Sequence, residues 1–452
     1  MRGQSSPESV LIVGGGISGL TVAWFLHQRG VPVTVLEAGA EPGGTIRTVE
    51  RDGFIVDVGT TSTLYRAGAL GEIIRGLGIE PEVIEADRRA RRYIVKHGRL
   101  VPLPTGPLSV ITTPLFSPAA KLRLLAEPFH RRALHEESIA AFVRRRLGPE
   151  FLDWAVDPFV SGVYAGDPEQ LSVRAASARL YALEAQYGSL FLGALRRAFA
   201  GNDGAPQPRG RLISFKRGMQ TLPRLMATAL RDRIQVNALA MSIARESNQW
   251  VVRTTSAEYR AKRLVLALPA YRAGALLAEL APAAARELEA VAYPPVATVA
   301  LGFARSQVVH ALDGFGALLP QRAGRETLGV IFSSTLFPGR APPDKVLLTA
   351  FLGGARNSAV RDYTSARLFD TVLSDLRPLL GLRGDPEFRY AELWPQAIPQ
   401  YELGHGQRLA RLDAAVARLP ELYLRANWRD GVSLGDSIAS AQRLAGLLAP
   451  AD

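Results

Sequence analysis

At 452 residues the chain exceeds what one ordinary core holds, so two or three domains are expected, and its 47% hydrophobic and 21% charged residues exclude a disordered or fibrous chain. It has no cysteine, which excludes disulfides, thiolate chemistry, iron–sulfur clusters and any cofactor tethered through sulfur, while six histidines scattered without ligand spacing predict no metal site. A net charge of +12 without a nucleic-acid-binding module predicts no nucleic-acid partner, and the lack of any apolar run of about 18 residues predicts no membrane-spanning helix.

Val10–Val13 reads as a short buried strand. Ser18–Arg29 comes next as a helix, with Leu20, Ala23 and Leu26 in helical register and Gly30 as its stop, and Val33–Leu36 is a second strand ending on Glu37. Between strand and helix, Gly14-Gly15-Gly16-Ile17-Ser18-Gly19 fits G-x-G-x-x-G. Gly14 permits the tight turn, Gly16 lets the backbone approach a pyrophosphate, and Gly19 lets helix pack on strand. Glu37, with Ala38 beside it, is placed to accept from both ribose hydroxyls and would repel a 2′-phosphate, so NADP is disfavoured.

The next segment, Glu41-Pro42-Gly43-Gly44-Thr45-Ile46-Arg47-Thr48, resembles the second glycine motif of the amine-oxidase-like flavoproteins, and that resemblance selects non-covalently bound FAD. It implies that Gly44 and Thr45 pass the diphosphate and that Arg47 neutralises it. Gly59, Thr60, Thr61 and Ser62 resemble the segment beside the isoalloxazine, although Thr61 stands where relatives usually carry Asn. Downstream, Gln235–Ile243 and Trp250–Thr254 read as alternating strands and Leu264–Ala267 as a third. In the family such strands extend the FAD sheet, with the backbone near Ala240 meeting the adenine. Trp394-Pro395 opens the return to the flavin. It ends at Val432-Ser433-Leu434, where a new helix begins with its N-terminus toward the flavin pyrimidine, a position that stabilises negative charge. Arg425-Ala426-Asn427 departs from the usual small-glycine-asparagine approach.

The run Asp157-Pro158-Phe159-Val160-Ser161-Gly162-Val163-Tyr164-Ala165-Gly166-Asp167-Pro168-Glu169-Gln170-Leu171-Ser172 resembles the signature of the protoporphyrinogen oxidases and the related coproporphyrinogen III oxidases. Phe315–Pro320, Leu328–Ser334, Phe351–Gly354 and Ala397-Ile398-Pro399-Gln400-Tyr401 with Gly404-His405 agree, so the similarity runs essentially from Val10 to Leu448. The resemblance implies a sandwich of Leu318, Ile331 and Phe351 around a flat apolar macrocycle, close approach at Gly162, and a propionate gripped by Arg92 in Arg91-Arg92-Tyr93-Ile94.

Family likeness of this extent also implies an α/β (α+β) multi-domain fold. A discontinuous Rossmann-type FAD-binding domain takes residues 1–86, 206–270 and 395–452, a helical subdomain 87–205, and a mixed-sheet substrate domain 271–394. The implied reaction is the oxygen-dependent, six-electron oxidation of protoporphyrinogen IX to protoporphyrin IX in heme synthesis, by hydride transfer to FAD with dioxygen as the final acceptor. No catalytic acid or base is expected, because a bridging methylene between two pyrroles gives up hydride readily and the residues act by position. Coproporphyrinogen III is the alternative substrate, and its additional propionates should want more rim cations. An amine or carotenoid oxidase and a non-catalytic FAD-containing porphyrin carrier are the lesser alternatives. The helix-rich, arginine-bearing stretch from Pro118 to Leu195, including Arg144-Arg145-Arg146, reads either as a membrane-contacting face or as a solvated basic one. A cytoplasmic location is expected, with peripheral contact to the inner face of the membrane and a homodimer both left open.

Overall fold

The computed structural model describes residues 9–65, 68–87, 89–199 and 210–449. The boundary expected between 205 and 206 lies outside the described residues.

Val10–Val13 is the middle of a five-stranded parallel sheet with the order Ile234–Gln235, Val33–Leu36, Val10–Val13, Arg263–Leu266, Leu422–Leu424. Its strands are nearly continuous aliphatic runs because both faces are covered. Val10, Ile12, Val33, Val35 and Val265 meet Leu20, Ile438 and Leu444 of the helices on one side. Leu11, Val13, Leu264 and Leu266 meet Trp250, Leu277 and Leu288 on the other. The first helix spans Ile17–Gln28 and is buried along Ser18–Leu26, wedged between this sheet and the last helix, Leu434–Leu448. Gly30, at φ +70°, ends it.

The stretch Gln235–Ile243 is not one strand. Asn237 adopts the left-handed conformation at φ 54° and divides it: Ile234–Gln235 pairs parallel with Val35–Leu36, whereas Ala240–Glu246 enters a separate antiparallel meander with Gln249–Thr254 and Glu258–Ala261. The meander therefore lies beside the parallel sheet and does not extend it.

The second large sheet has seven strands, in the order Phe388–Trp394, Val296–Ala304, Lys345–Gly353, Thr327–Phe332, Gly314–Leu318, Arg91–Lys96, Arg99–Pro102. Its last two strands correct the expected boundary at residue 87. Arg91–Pro102 forms a hairpin that joins the substrate sheet by parallel pairing with Gly314–Leu318, and helices dominate only from Pro107 onward. The helices Ala270–Leu277 and Pro282–Glu289 likewise pack in the core that covers the parallel sheet, through Ala273, Leu277, Ala284 and Leu288.

Within the helical subdomain the arginine triplet is divided: Arg144 is exposed, Arg145 half-buried and Arg146 enclosed, and all three are paired with carboxylates. Arg146 is fully buried, 3.2 Å from Glu127 and in contact with Glu184; Arg145 pairs with Glu137 and Glu184, and Arg144 with Glu169. Buried guanidinium requires carboxylate partners, and neighbouring elements provide them.

Candidate functional site

The glycine loop and the first helix form a cradle open to one side. A Cβ at Gly14, where φ is +108°, would lie 2.5 Å from the Ala267 carbonyl oxygen, and one at Gly19 would lie 2.0 Å from that of Gly14. Both positions therefore exclude any side chain. Gly16 faces Gly43 across a parallel bridge, and the Gly43 N–H donates to the Gly15 carbonyl at 2.9 Å, so the two glycine segments stack. No side chain caps the first helix, which leaves the amides of Ile17, Ser18 and Gly19 directed into the cradle. Such a set of donors at a positive helix end fits a diphosphate. The Glu37 carboxylate closes the cradle, accepting from the Gly15 N–H at 2.8 Å and the Gly39 N–H at 2.7 Å. Ala38 is exposed beside it. Ala238 N–H donates to the Glu37 carbonyl at 2.8 Å, which brings half-buried Ala240 alongside. These contacts fit the adenosine diphosphate half of FAD.

The second half of the site is built where the segments expected beside the flavin ring meet the seven-stranded sheet. Gly44 and Thr45 are exposed, and a Cβ at Gly59 would fall 1.9 Å from the Thr45 carbonyl oxygen, so the two segments pass in direct contact. The Val58 carbonyl accepts from the Trp394 indole N–H and from the Thr298 hydroxyl, each at 2.9 Å, and this fixes Gly59, Thr60, Thr61 and Ser62 against the sheet. Arg47 reaches across the same junction to Glu392, at 3.4 Å. Val432 and Ser433 precede the last helix. The Ser433 hydroxyl accepts from the Asp436 N–H at 3.1 Å as its N-cap, and Leu434 is buried behind it.

Strand register gathers the expected substrate residues. Arg92 lies level with Gly316 and Ile331, Ile94 with Leu318 and Gly329, and Gly329 with Phe351, which lies level with Thr298. Side chains at the same level of adjacent strands share a face. Arg92, Leu318, Ile331, Phe351 and Thr298 therefore line one face, while Tyr93, Ala317, Val330, Ala350 and Val299 pack into the core behind it. Three strand steps, roughly 14 Å across the sheet, and two residues along it separate Arg92 from Phe351. Leu318, Ile331 and Phe351 are each half-buried, and Arg92 is exposed with its guanidinium 5.2 Å from the Phe315 ring. Helix Asp157–Tyr164 faces this surface: Gly162 is exposed, and a Cβ there would meet Leu318 Cδ2 at 2.4 Å.

Three polar groups hold this geometry and escape the sequence reading. Arg356 pairs with Asp157 at the start of the Asp157–Tyr164 helix and, at 2.8 Å, with Asp167 beyond its end. Asp57 is buried at the end of the strand that leads into Gly59. It accepts from the Thr48 hydroxyl at 2.6 Å and the Met219 N–H at 2.8 Å, and it sits 3.1 Å from buried Arg340. Burial pushes the Asp57 carboxyl above its ordinary value, against the opposing pull of Arg340 and the two donors. Arg340 and Asp57 border a small cavity shared with Thr61, Ile331, Ser333 and Thr349. Gln400 is the third group. Asp57 and Gln400 fall in runs singled out for other residues, and a charged residue at a strand end or after Gly353-Gly354 reads as solvated unless its distant partner is known.

The model of the flavin-containing amine oxidoreductase family matches residues 17–449. The chain is 32% identical to protoporphyrinogen oxidase 2 of Arabidopsis thaliana over 98% of its own length and 94% of that protein. It is 35% identical to protoporphyrinogen oxidase 1 of Spinacia oleracea, covering 95% and 82%, and 28% identical to coproporphyrinogen III oxidase of Bacillus subtilis, covering 95% and 96%. A crystal structure from Exiguobacterium sp. 255-15 with a provisional protoporphyrinogen oxidase assignment aligns at TM-score 0.83 and 26% identity, over 98% of this chain and 99% of that one. Cyclohexylamine oxidase of Brevibacterium oxydans IH-35A aligns at TM-score 0.71 and 18% identity over 98% of each chain, a likeness of fold.

Proposed function

We propose, from the premise that this chain belongs to the flavin-containing amine oxidoreductase family and to its porphyrinogen-oxidising branch, that it converts protoporphyrinogen IX to protoporphyrin IX in heme biosynthesis with FAD as cofactor. The observation that carries the reading is the single sheet face running from the Val58 contact past Phe351, Ile331 and Leu318 to Arg92, with Gly162 opposite. It is apolar over most of its length and cationic at one end, as a tetrapyrrole with propionates on one edge requires. FAD, when bound, supplies the acceptor for the hydride removed at each two-electron oxidation. The protein's own part is positional. The sheet face and the facing helix hold a bridging carbon of the macrocycle toward the Gly59–Ser62 segment and keep water from it.

Protoporphyrinogen is preferred over coproporphyrinogen for two reasons. The plant protoporphyrinogen oxidases match at 32–35% identity, the bacterial coproporphyrinogen oxidases at 27–28%. The second reason is charge. Of the cations on the Arg91–Lys96 strand, Arg91 turns to Asp313 at 3.5 Å and Lys96 donates to the carbonyls of Pro114 and Leu115, which leaves Arg92 without a carboxylate partner among the described residues. One free guanidinium on this strand suits the substrate with fewer propionates. Purified FAD-loaded protein given each porphyrinogen, with product read by porphyrin fluorescence, tests this. A preference for coproporphyrinogen overturns the substrate, and no porphyrin from either overturns the activity. Arg92→Ala is expected to raise KM by roughly tenfold with kcat little changed, the loss of about 1–3 kcal/mol of charge-assisted bonding. Unchanged steady-state kinetics would remove Arg92 from the site.

A peripheral membrane contact is part of the same reading. Leu108, Ile111, Leu122, Leu125, Phe129 and Leu134 are 66–93% exposed on the short helices and loop between Pro107 and Leu134, with Arg123, Arg131 and Arg132 exposed among them. No helix among the described residues is long and apolar enough to cross a membrane. Apolar side chains rimmed by cations suit an anionic bilayer surface. The protein is expected to sediment with phosphatidylglycerol vesicles, and the pair Phe129→Asp and Leu134→Asp to release it. Equal sedimentation of parent and double variant would rule out this surface.

A further inference from the structure

Gln400 and Tyr401 lie on an extended segment that touches all three parts of the molecule. Its backbone ties it to the helical subdomain: Ser172 N–H donates to the Tyr401 carbonyl at 2.8 Å, Leu403 N–H to the Gln170 carbonyl at 3.0 Å, and Gly404 N–H to Glu136 at 3.1 Å. Two adjacent side chains leave this segment in different directions. The Gln400 amide, 2% exposed, donates at 2.9 Å to the carbonyl of Tyr164, the last residue of the helix that carries Gly162. It donates also to Ile398, at 2.9 Å. The Tyr401 hydroxyl donates to the Asn427 carbonyl at 2.5 Å and accepts from the Gly431 N–H at 2.8 Å. It thereby closes the turn Asn427–Gly431, which runs into Val432, Ser433 and the N-terminus of the last helix.

Both contacts satisfy backbone groups that their elements cannot satisfy alone. The final carbonyls of a helix have no partner within it, and the helix ends where Ala165 turns left-handed at φ 48°. Gly431 sits at φ +116°, a conformation glycine adopts freely, and its N–H finds its partner in the Tyr401 hydroxyl. The Tyr401 ring is 6% exposed and stacks on His405 with centroids 4.3 Å apart and planes 12° from parallel, so the hydroxyl has little freedom to leave its two partners. Burial raises the Tyr401 phenol above its ordinary value, so the hydroxyl keeps the proton it donates.

We infer that Gln400 and Tyr401 are positioning residues that set the spacing of the reaction: Gln400 holds the helix facing the substrate surface, and Tyr401 holds the turn expected at the flavin pyrimidine, from neighbouring points on one rigid segment. The inference rests on the flavin reading of Val432–Leu434 and on the substrate reading of Gly162. It assigns different consequences to adjacent residues, which general support of the fold would not.

Tyr401→Phe keeps the stacked ring and removes only the hydroxyl. FAD dissociation, followed by flavin fluorescence, is expected to rise roughly tenfold, the scale of one or two buried hydrogen bonds. The KM for porphyrinogen at saturating FAD should stay within about twofold, a shift under 0.5 kcal/mol. Gln400→Met, which keeps the volume and removes the amide, is expected to do the reverse: KM rises by roughly tenfold while FAD affinity and the bound-flavin spectrum stay at parent values. If Gln400→Met does not fold, Gln400→Asn, one methylene shorter, reads the same split. Tyr401→Phe binding FAD like the parent, or both variants shifting both quantities together, overturns the inference while the parent still turns over porphyrinogen. A parent protein that neither binds FAD nor oxidises a porphyrinogen overturns the family reading and this inference with it.

Discussion

Replacing Gly162 with leucine is expected to cut porphyrinogen turnover on the order of a hundredfold while the purified variant keeps its FAD. The first added carbon would sit 2.4 Å from Leu318 Cδ2. That neighbour is the flexible tip of a half-buried side chain, so Gly162→Ala should cost only a few-fold in kcat/KM as Leu318 turns aside. Leucine adds three more carbons beyond that first one, and the direction set by the Leu318 contact carries them toward the gap over Leu318 and Ile331 proposed for the macrocycle. The stability readout moves the other way. Gly162 lies inside a helix, where leucine is preferred over glycine by about 0.5–1 kcal/mol, so the variant should unfold no earlier than the parent. Lost turnover with retained flavin and an undiminished melting temperature would separate a blocked pocket from a damaged fold. Retained turnover would mean that substrate approaches from another side of the sheet.

The parts of this molecule legible from sequence are those in which local pattern and tertiary role coincide. The βαβ unit announces itself because Gly14 and Gly19 are required by contacts within a short stretch of chain, apart from Ala267, and because a parallel strand covered on both faces is aliphatic throughout. Leu318, Ile331 and Phe351 are reached through family resemblance, and their common face becomes visible only when strand register is known. The Arg91–Pro102 hairpin reads as part of the helical subdomain because crowded arginines look like a solvated loop. Its actual partner, Gly314–Leu318, lies far along the chain, and parallel pairing leaves no local turn signal. The arginine triplet misleads for a related reason: Arg146 is buried by Glu127 and Glu184, neither of which is near it on its own helix. Gln235–Ile243 misleads locally. Its alternation is sound for a strand, and only the left-handed backbone at Asn237 divides it between two sheets.

The largest stability effect should come from the buried pair that joins the two halves of the site. Arg340→Met leaves the Asp57 carboxylate with the Thr48 hydroxyl and the Met219 N–H but without its counter-charge, in surroundings where Asp57 is 6% exposed. Removing one member of such a pair costs about 3–5 kcal/mol, because the remaining charge stays desolvated. Asp57 stands immediately before Val58, whose carbonyl anchors Trp394 and Thr298, so FAD release should quicken in the same variant. The double replacement Asp57→Asn with Arg340→Met distinguishes charge from packing. Asparagine can keep both donors on its carbonyl oxygen, and methionine fills much of the volume of the guanidinium stem. If the deficit is electrostatic, the double variant should recover most of the lost urea midpoint and hold FAD more firmly than Arg340→Met alone. A single variant within about 1 kcal/mol of the parent would mean that the pair stabilises far less than its burial implies, and additive losses in the double variant would mean that arginine serves there as filler.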